Sequence, residues 1–400
     1  MKGKLIKTIS LIMAMTLCFC LCVPVYANET NESIDEIETK IESLIIDFYK
    51  SKDIGTNPHI DEKAVSNSVS SFLSDKAEVQ QYVTSLYETQ KENYRVELKQ
   101  LGVTEAGNSK AFRYQVITTY NYVDADFDTT VSEEVIVNYD SNDCKIINFV
   151  TPNNYYDVAV LKEDVKSSTA SKKLNDTEEI SRNKKRLIND INNVFKYETN
   201  TAEFDITLLK QPRAASSYNN SACVTYARNN YNKANPASGK STISYYDFST
   251  ISGNFDCTNF VSHAISAGGA NMYDTGGNGI CSSGWYFRNM SNRSTSWGGV
   301  TQLYSFLTSN TKANTAAGIG KSYELSGAYW GIGDVLQLRK SGETNYGHST
   351  IITIKKRSTD GKRCYAYVTG RSSKTMYNNN QAAADMAPGG SKRTIMIYNK

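Results

Sequence analysis

Four short runs near the C-terminus set the strongest limit on the fold. GDVLQLRK (333–340), HSTIITI (348–354), KRCYAYVTG (362–370) and RTIMIYN (393–399) are rich in β-branched and aromatic residues. Turn chemistry separates the first three: the polar loop SGETNYG (341–347) and the pair Asp360-Gly361. Links this short join antiparallel strands, because parallel neighbours need a crossover of about a dozen residues or more. A second set lies upstream: YRVELKQL (94–101), FRYQVITTYNYV (112–123), TVSEEVIVNY (130–139) and KIINFV (145–150). The cluster Asp140-Ser141-Asn142-Asp143 reads as the turn between the last two. Ahead of them, Ile34, Ile37, Ile41, Leu44, Ile45 and Phe48 fall at helical spacing, and a second helix is predicted over 75–92. Helices followed by an antiparallel meander predict an α+β class.

The N-terminus reads differently. Lys2, Lys4 and Lys7 precede an apolar run that ends at Val25-Tyr26-Ala27, the pattern of a secretory signal cut after Ala27. The run is too short for a membrane span, which needs about 20 apolar residues, and no later segment reads as one. Losing residues 1–27 removes three lysines and no acid, so the formal charge of +3 falls to neutrality. A neutral chain has no global attraction to nucleic acid or anionic lipid. The basic run RNKKR (182–186) reads as the solvated side of a helix over 180–195. The organisation predicted is a signal at 1–27, an N-terminal α+β domain at 28–158, a connector with a helix at 159–214, and a second domain at 215–400. A monomer is expected.

Five cysteines remain after the signal: Cys144, Cys223, Cys257, Cys281 and Cys364. An odd number leaves at least one thiol unpaired, with room for one disulfide among the four other than Cys257. FDCTNFVSHA (255–264) singles out Cys257. Asp256 suits an N-cap, its carboxylate accepting first-turn amides. Cys257, Phe260, Val261, Ala264 and Ile265 make one helical face, and Gly268-Gly269 ends it. A thiol at a helix N-terminus is favoured as thiolate, and the same N–H groups can hold an oxyanion.

A thiol nucleophile needs a base, and the chain has three histidines. His59 lies in a loop of the N-terminal part. His263 is six residues beyond Cys257, on the far side of the helix, and is expected at the surface or half-buried. That leaves His348, at the start of a strand. A Cys at a helix N-terminus facing a His at a strand end is a papain-type arrangement. Asn254, Tyr245 and Tyr246 lie upstream of the cysteine as further oxyanion donors, each with a structural role as the alternative.

At these residues the sequence resembles the "putative amidase domain" family, grouped with NlpC/P60-like, papain-like hydrolases. FDCTNFVSHAISAGG resembles the family's DCTNFVSQ…AGG segment. SYNNSACVTYARNNYNKANP (217–236), WYFRNMSNRSTSWGGVTQLYSFL (285–307), GDVLQL (333–338) and GHSTIIT (347–353) resemble its other segments in the same order. The likeness covers roughly 216–400. It implies a Cys-bearing helix packed on an antiparallel sheet, Cys257 as nucleophile and His348 as base. The family has a His-containing segment on the strand after the base, where this chain has VTGRSSKT (368–375) with Arg371. An arginine cannot accept an imidazole N–H. Thr369, Ser372, Asn378 or a backbone carbonyl are the remaining orienting groups.

Other signals fall away. SGKST (238–242) lacks the glycine and strand of a phosphate loop. No C-x-x-C, H-E-x-x-H or G-x-S-x-G occurs, so no metal or cofactor is expected. The function expected is a secreted cysteine amidase or peptidase, forming a thioester on an extracellular amide, with peptidoglycan peptides the leading substrate. The alternative is a catalytically degenerate papain-fold protein that binds extracellular ligands.

Overall fold

The computed structural model describes residues 32–52, 56, 58–162, 174–200 and 217–400. The signal at 1–27 lies outside them, as does much of the connector. Helices α1 (Ile34–Lys50) and α2 (Asn67–Leu86) precede strands β1 (Lys91–Ala106), β2 (Ser109–Tyr122), β3 (Asp128–Asp140) and β4 (Lys145–Val150). Helices α3 (Tyr155–Leu161), α4 (Thr177–Asn200), α5 (Asn220–Asn230) and α6 (Cys257–Ala267) follow. Then come β5 (Ile280–Cys281), β6 (Phe287–Asn289), β7 (Asn292–Ser294), α7 (Thr295–Gly298) and α8 (Val300–Ser309). The chain ends with β8 (Ala316–Ser322), β9 (Val335–Arg339), β10 (His348–Arg357), β11 (Cys364–Arg371), β12 (Tyr377–Ala382), α9 (Ala383–Met386) and β13 (Ser391–Asn399).

Local chemistry explains the element ends. α1 opens on a capping box: Ser33 and Glu36 each accept the other's backbone N–H. β1 and β2 meet at the two-residue turn Gly107-Asn108, where Gly107 takes φ +62, open to glycine at no steric cost. The strands run further toward this turn than their apolar residues do, because the outer half of β1 faces solvent.

The α+β class holds, with one large antiparallel sheet. Both predicted strand sets belong to it, in the order β1-β2-β3-β12-β11-β10-β9-β13-β8, with β4 on β3. The join is β3 to β12, where Tyr377 faces Ser132 and Asn378 faces Val131. β12, YNNNQA, escaped the sequence reading because asparagine is depleted in strands. The last strand crosses back: β13 pairs with β9 and β8.

The sheet's C-terminal half is covered on both faces. Leu336, Ile352 and Tyr367 share a core with Phe48, Phe72, Tyr156 and Leu187 of the first four helices. Val335, Ile351 and Ile395 share the other core with Phe260, Val261, Trp285 and Trp297. The Ile351-Ile352 pair therefore points to opposite faces, as strand alternation requires. A strand buried on both sides reads as a continuous apolar run, which is how HSTIITI looks in the sequence.

Candidate active site

α6 begins on Cys257, against the start of β10. All its residues from Cys257 to Ser266 are buried, so the helix is enclosed on every side and not only along its apolar stripe. The thiol is 4% exposed. Burial pushes it above the ordinary thiol range, and hydrogen bonds from the Ser349 backbone and the Thr258 side chain pull the other way. The expectation of a thiol lowered by its helix terminus is thus corrected: desolvation outweighs it. Sγ lies 3.8 Å from Thr258 Oγ1, which is 3.1 Å from Ser349 Oγ. Ser349 Oγ in turn accepts from Gln337 Nε2 at 3.1 Å. Ser349 and Gln337 gave no sequence signal, since Ser and Gln in a strand are unremarkable until the helix lands on them.

His348 is the residue before Ser349, half-buried at the wall of a cavity. Its Nδ1 lies 3.5 Å from Ser372 Oγ, the outer limit of a hydrogen bond. Of the orienting groups left open by the sequence, Ser372 is the one that meets the ring. Burial, reinforced by the charge of Lys340, pushes His348 down to about 4, so the imidazole is neutral at neutral pH. Among the described residues no hydrogen bond joins Cys257 Sγ to this ring. The two are linked through Ser349, which touches the sulfur and adjoins the histidine.

The other candidates fall elsewhere. Asp256 occupies the N-cap position but makes no side-chain cap bond, contrary to the sequence reading. Its buried carboxylate turns inward and accepts from Phe248 N at 3.0 Å, Asn259 Nδ2 at 2.9 Å, Arg371 Nε at 3.1 Å and the Tyr245 hydroxyl. Burial pushes this carboxyl up to about 6, against those donors. Tyr245 is therefore a ligand of Asp256 rather than of the sulfur. Asn254 is exposed, its N–H turned to the Ile251 carbonyl. Thr369 bonds Thr353, Asn379 and the Asn380 amide, away from His348. Asn378 Nδ2 donates to the Val368 carbonyl.

His263 departs furthest from expectation. It is fully buried among Tyr245, Phe287 and Trp297, because the aromatic layer covers the far side of α6. Its Nδ1 accepts from the Gly239 amide at 3.0 Å, so the proton sits on Nε2, and burial pushes the ring down to about 3. His59 is exposed. Cys144, Cys223, Cys257, Cys281 and Cys364 are all unpaired, so the one disulfide for which the sequence left room is not formed.

Arg371 is the hub that sequence reasoning passed over. Fully buried, it pairs with Asp256 and, through Nη2 at 2.8 Å, with Asp247; its Nη1 donates to the Lys233 carbonyl at 2.7 Å. The next residue, Ser372, accepts the Asp256 amide on its carbonyl at 2.9 Å. The end of β11 thus grips the residue before the thiol and touches the histidine.

No three metal-binding side chains cluster among the described residues. No helix among them is long and apolar enough to cross a membrane.

Residues 217–398 match the family described as "Putative amidase domain". The match supports an amide hydrolase, and its span holds Cys257, His348, Arg371 and Ser372. Outside it lie α1 to α4 and the first four strands. "Uncharacterized protein YhbB" of Bacillus subtilis (strain 168) is 34% identical over 141 residues, 35% of this chain and 39% of that protein. The chain therefore spans well under two thirds of that relative. No solved structure matches.

Proposed function

We propose that the amidase domain hydrolyses an amide bond with Cys257 as nucleophile and His348 as base, on a papain-like scaffold. One observation carries the reading: the first-turn thiol of α6 reaches Ser349, the neighbour of His348, through the Thr258 hydroxyl, at 3.8 and 3.1 Å. In the reaction the neutral His348 ring takes the thiol proton, and the sulfur attacks the carbonyl carbon. First-turn N–H groups of α6 hold the resulting oxyanion. The imidazolium returns its proton to the departing amine, and the ring then deprotonates the water that cleaves the thioester, releasing the acid. Sulfur and ring must come within hydrogen-bond reach for the first step, as catalytic pairs often do only with substrate in place.

The substrate we favour is a cell-wall peptide outside the cell. The basic-then-apolar N-terminus and the family resemblance support this. Incubating residues 28–400 and their Cys257→Ala variant with peptidoglycan, then comparing released fragments by mass spectrometry, tests it. Fragments unique to the native protein are expected; identical profiles overturn wall hydrolysis.

The buried thiol, unbonded to the ring, favours one second reading: a binding module that has lost catalysis. Native residues 28–400 that bind peptidoglycan yet release no fragments beyond those of the Cys257→Ala variant would support it.

A further inference from the structure

The cavity that exposes His348 does not stop at the amidase domain. It holds about 400 Å³, within the range of small-ligand sites. His348, Ser372 and Phe255 line one end; Lys52, Tyr94 and Glu133 line the other. Residues of β10, β12 and β3 line it, on the shared sheet whose order there is β10-β11-β12-β3. Strands lie about 4.8 Å apart, so β10 and β3 are about 14 Å apart, the length of roughly four extended residues.

The far end has an electrostatic asymmetry. Lys52 Nζ sits 4.0 Å from the centre of the Tyr49 ring. Among the described residues no carboxylate lies within ion-pair distance of it. Lys91 is paired with Asp385 at 3.0 Å, and the Glu133 carboxylate accepts from the Tyr49 hydroxyl at 3.1 Å. Burial pushes Lys52 down to about 8, which still leaves it largely charged at neutral pH. Glu133 and Asp157 act on Lys52 only from beyond ion-pair distance, so this half-buried ammonium on an aromatic face can still take an anion that fits.

We propose that this cavity is an extended substrate site built by both halves of the chain, in which Lys52 binds a carboxylate of a peptide whose scissile amide lies at His348. The proposal rests on the amidase reading and adds the class of substrate: a short peptide carrying an acid about four residues from the reacting bond. The N-terminal segment is then part of the specificity apparatus. Lys52 acts on binding, whereas Cys257 and His348 act on the bond.

Binding is tested apart from chemistry, with residues 28–400 carrying Cys257→Ala. Three fluorescein-labelled alanine pentapeptides serve as probes: one with a free C-terminal acid, one amidated, and one amidated with glutamate as its last residue. Fluorescence anisotropy should show the free acid binding about tenfold tighter than the neutral amide, the usual scale of a charge-assisted bond. Tight binding of the glutamate peptide assigns the carboxylate to a side chain; its failure assigns it to a chain end. Lys52→Met should reduce the preference to less than twofold, and Lys52→Arg should keep most of it. The preference should also fall with added salt, a readout that needs no variant at position 52. Equal affinity for all three peptides, no binding at millimolar protein, or a preference that survives Lys52→Met overturns the proposal. Native protein incubated with the same peptides reports on cleavage separately. A preference without cleavage leaves the site standing and removes the hydrolase reading.

Discussion

Arg371 Nε donates to the carboxylate of Asp256 at 3.1 Å, and neither side chain has any exposed surface. This contact joins the end of β11 to the residue ahead of the thiol. Ser372, next along, holds the Asp256 amide on its carbonyl and places its hydroxyl by His348. One dipeptide thus sets the helix start and the imidazole relative to each other.

Removing Arg371 should be costly. Arg371→Met leaves Asp256 and Asp247 as carboxylates without their shared cation, and breaking a buried pair costs about 3–5 kcal/mol. Urea denaturation of the variant measures it. Adding Asp256→Asn should recover part of the loss, because the uncompensated buried charge is gone. A loss below about 1 kcal/mol would mean the pair is solvated in solution, as exposed pairs are.

Ser372 and His348 should differ sharply. His348→Ala should lower kcat/KM by a hundredfold or more, the usual range of general-base catalysis. Ser372→Ala should cost less than tenfold, because its 3.5 Å contact is long. Steady-state kinetics on an intact peptide spanning the bond that the peptidoglycan fragments identify compares them.

The pH dependence follows from the two shifts at the site. The raised thiol and the lowered imidazole make an uncharged pair at neutral pH rather than thiolate and imidazolium. Alkylation of Cys257 by iodoacetamide should therefore keep accelerating above pH 8.5, past the ordinary thiol midpoint. A rate already at its plateau by pH 7 would contradict the neutral pair.

Stability should fall on the acid side for a related reason. His348 and His263 have folded pKa values depressed to about 4 and about 3, below the ordinary histidine value near 6.5. As pH drops below about 6.5 the unfolded chain takes up protons that the folded chain refuses, so unfolding is favoured progressively down to these lower values. Thermal melts across pH 3–7 check this, with His263→Phe flattening part of the slope.

Gly370 sits where a side chain would press on Thr350 and Asn378, beside the site. A Cβ there would meet Thr350 Cγ2 at 3.0 Å, Asn378 Oδ1 at 3.2 Å and His348 Nε2 at 3.5 Å. Gly370→Ala should lower the melting temperature more than it lowers activity, since the groups that must give way are Thr350 and Asn378, while His348 Nε2 is at ordinary van der Waals distance. Comparing both quantities in one variant tests the order.

The segment that matches the amidase family should not tolerate isolation. Residues 217–400 alone would expose the β12 edge that pairs with β3, and the apolar face that Leu336, Ile352 and Tyr367 present to the first four helices. An uncovered edge strand beside an apolar face aggregates. Size-exclusion chromatography of this fragment should show aggregates, against a single species for residues 28–400.

Some of this architecture was legible residue by residue. Both antiparallel sets and the helix beginning at Cys257 followed from local periodicity and turn residues, which act over a few positions of chain. The Asn-rich β12, the burial of His263, the salt link from Arg371 to Asp256 and the β3–β12 seam did not. Each depends on which distant surfaces meet, and on how much water those surfaces exclude. The order of residues determined where strands, turns and a helix-leading thiol occur. Tertiary contact alone decided that the two strand sets share one sheet, that the thiol is desolvated, and that a cavity runs from His348 to Lys52. Desolvation and strand pairing are properties of neighbours in space, and in this chain Asp256 meets Arg371, and Ser132 meets Tyr377, across more than a hundred residues of sequence.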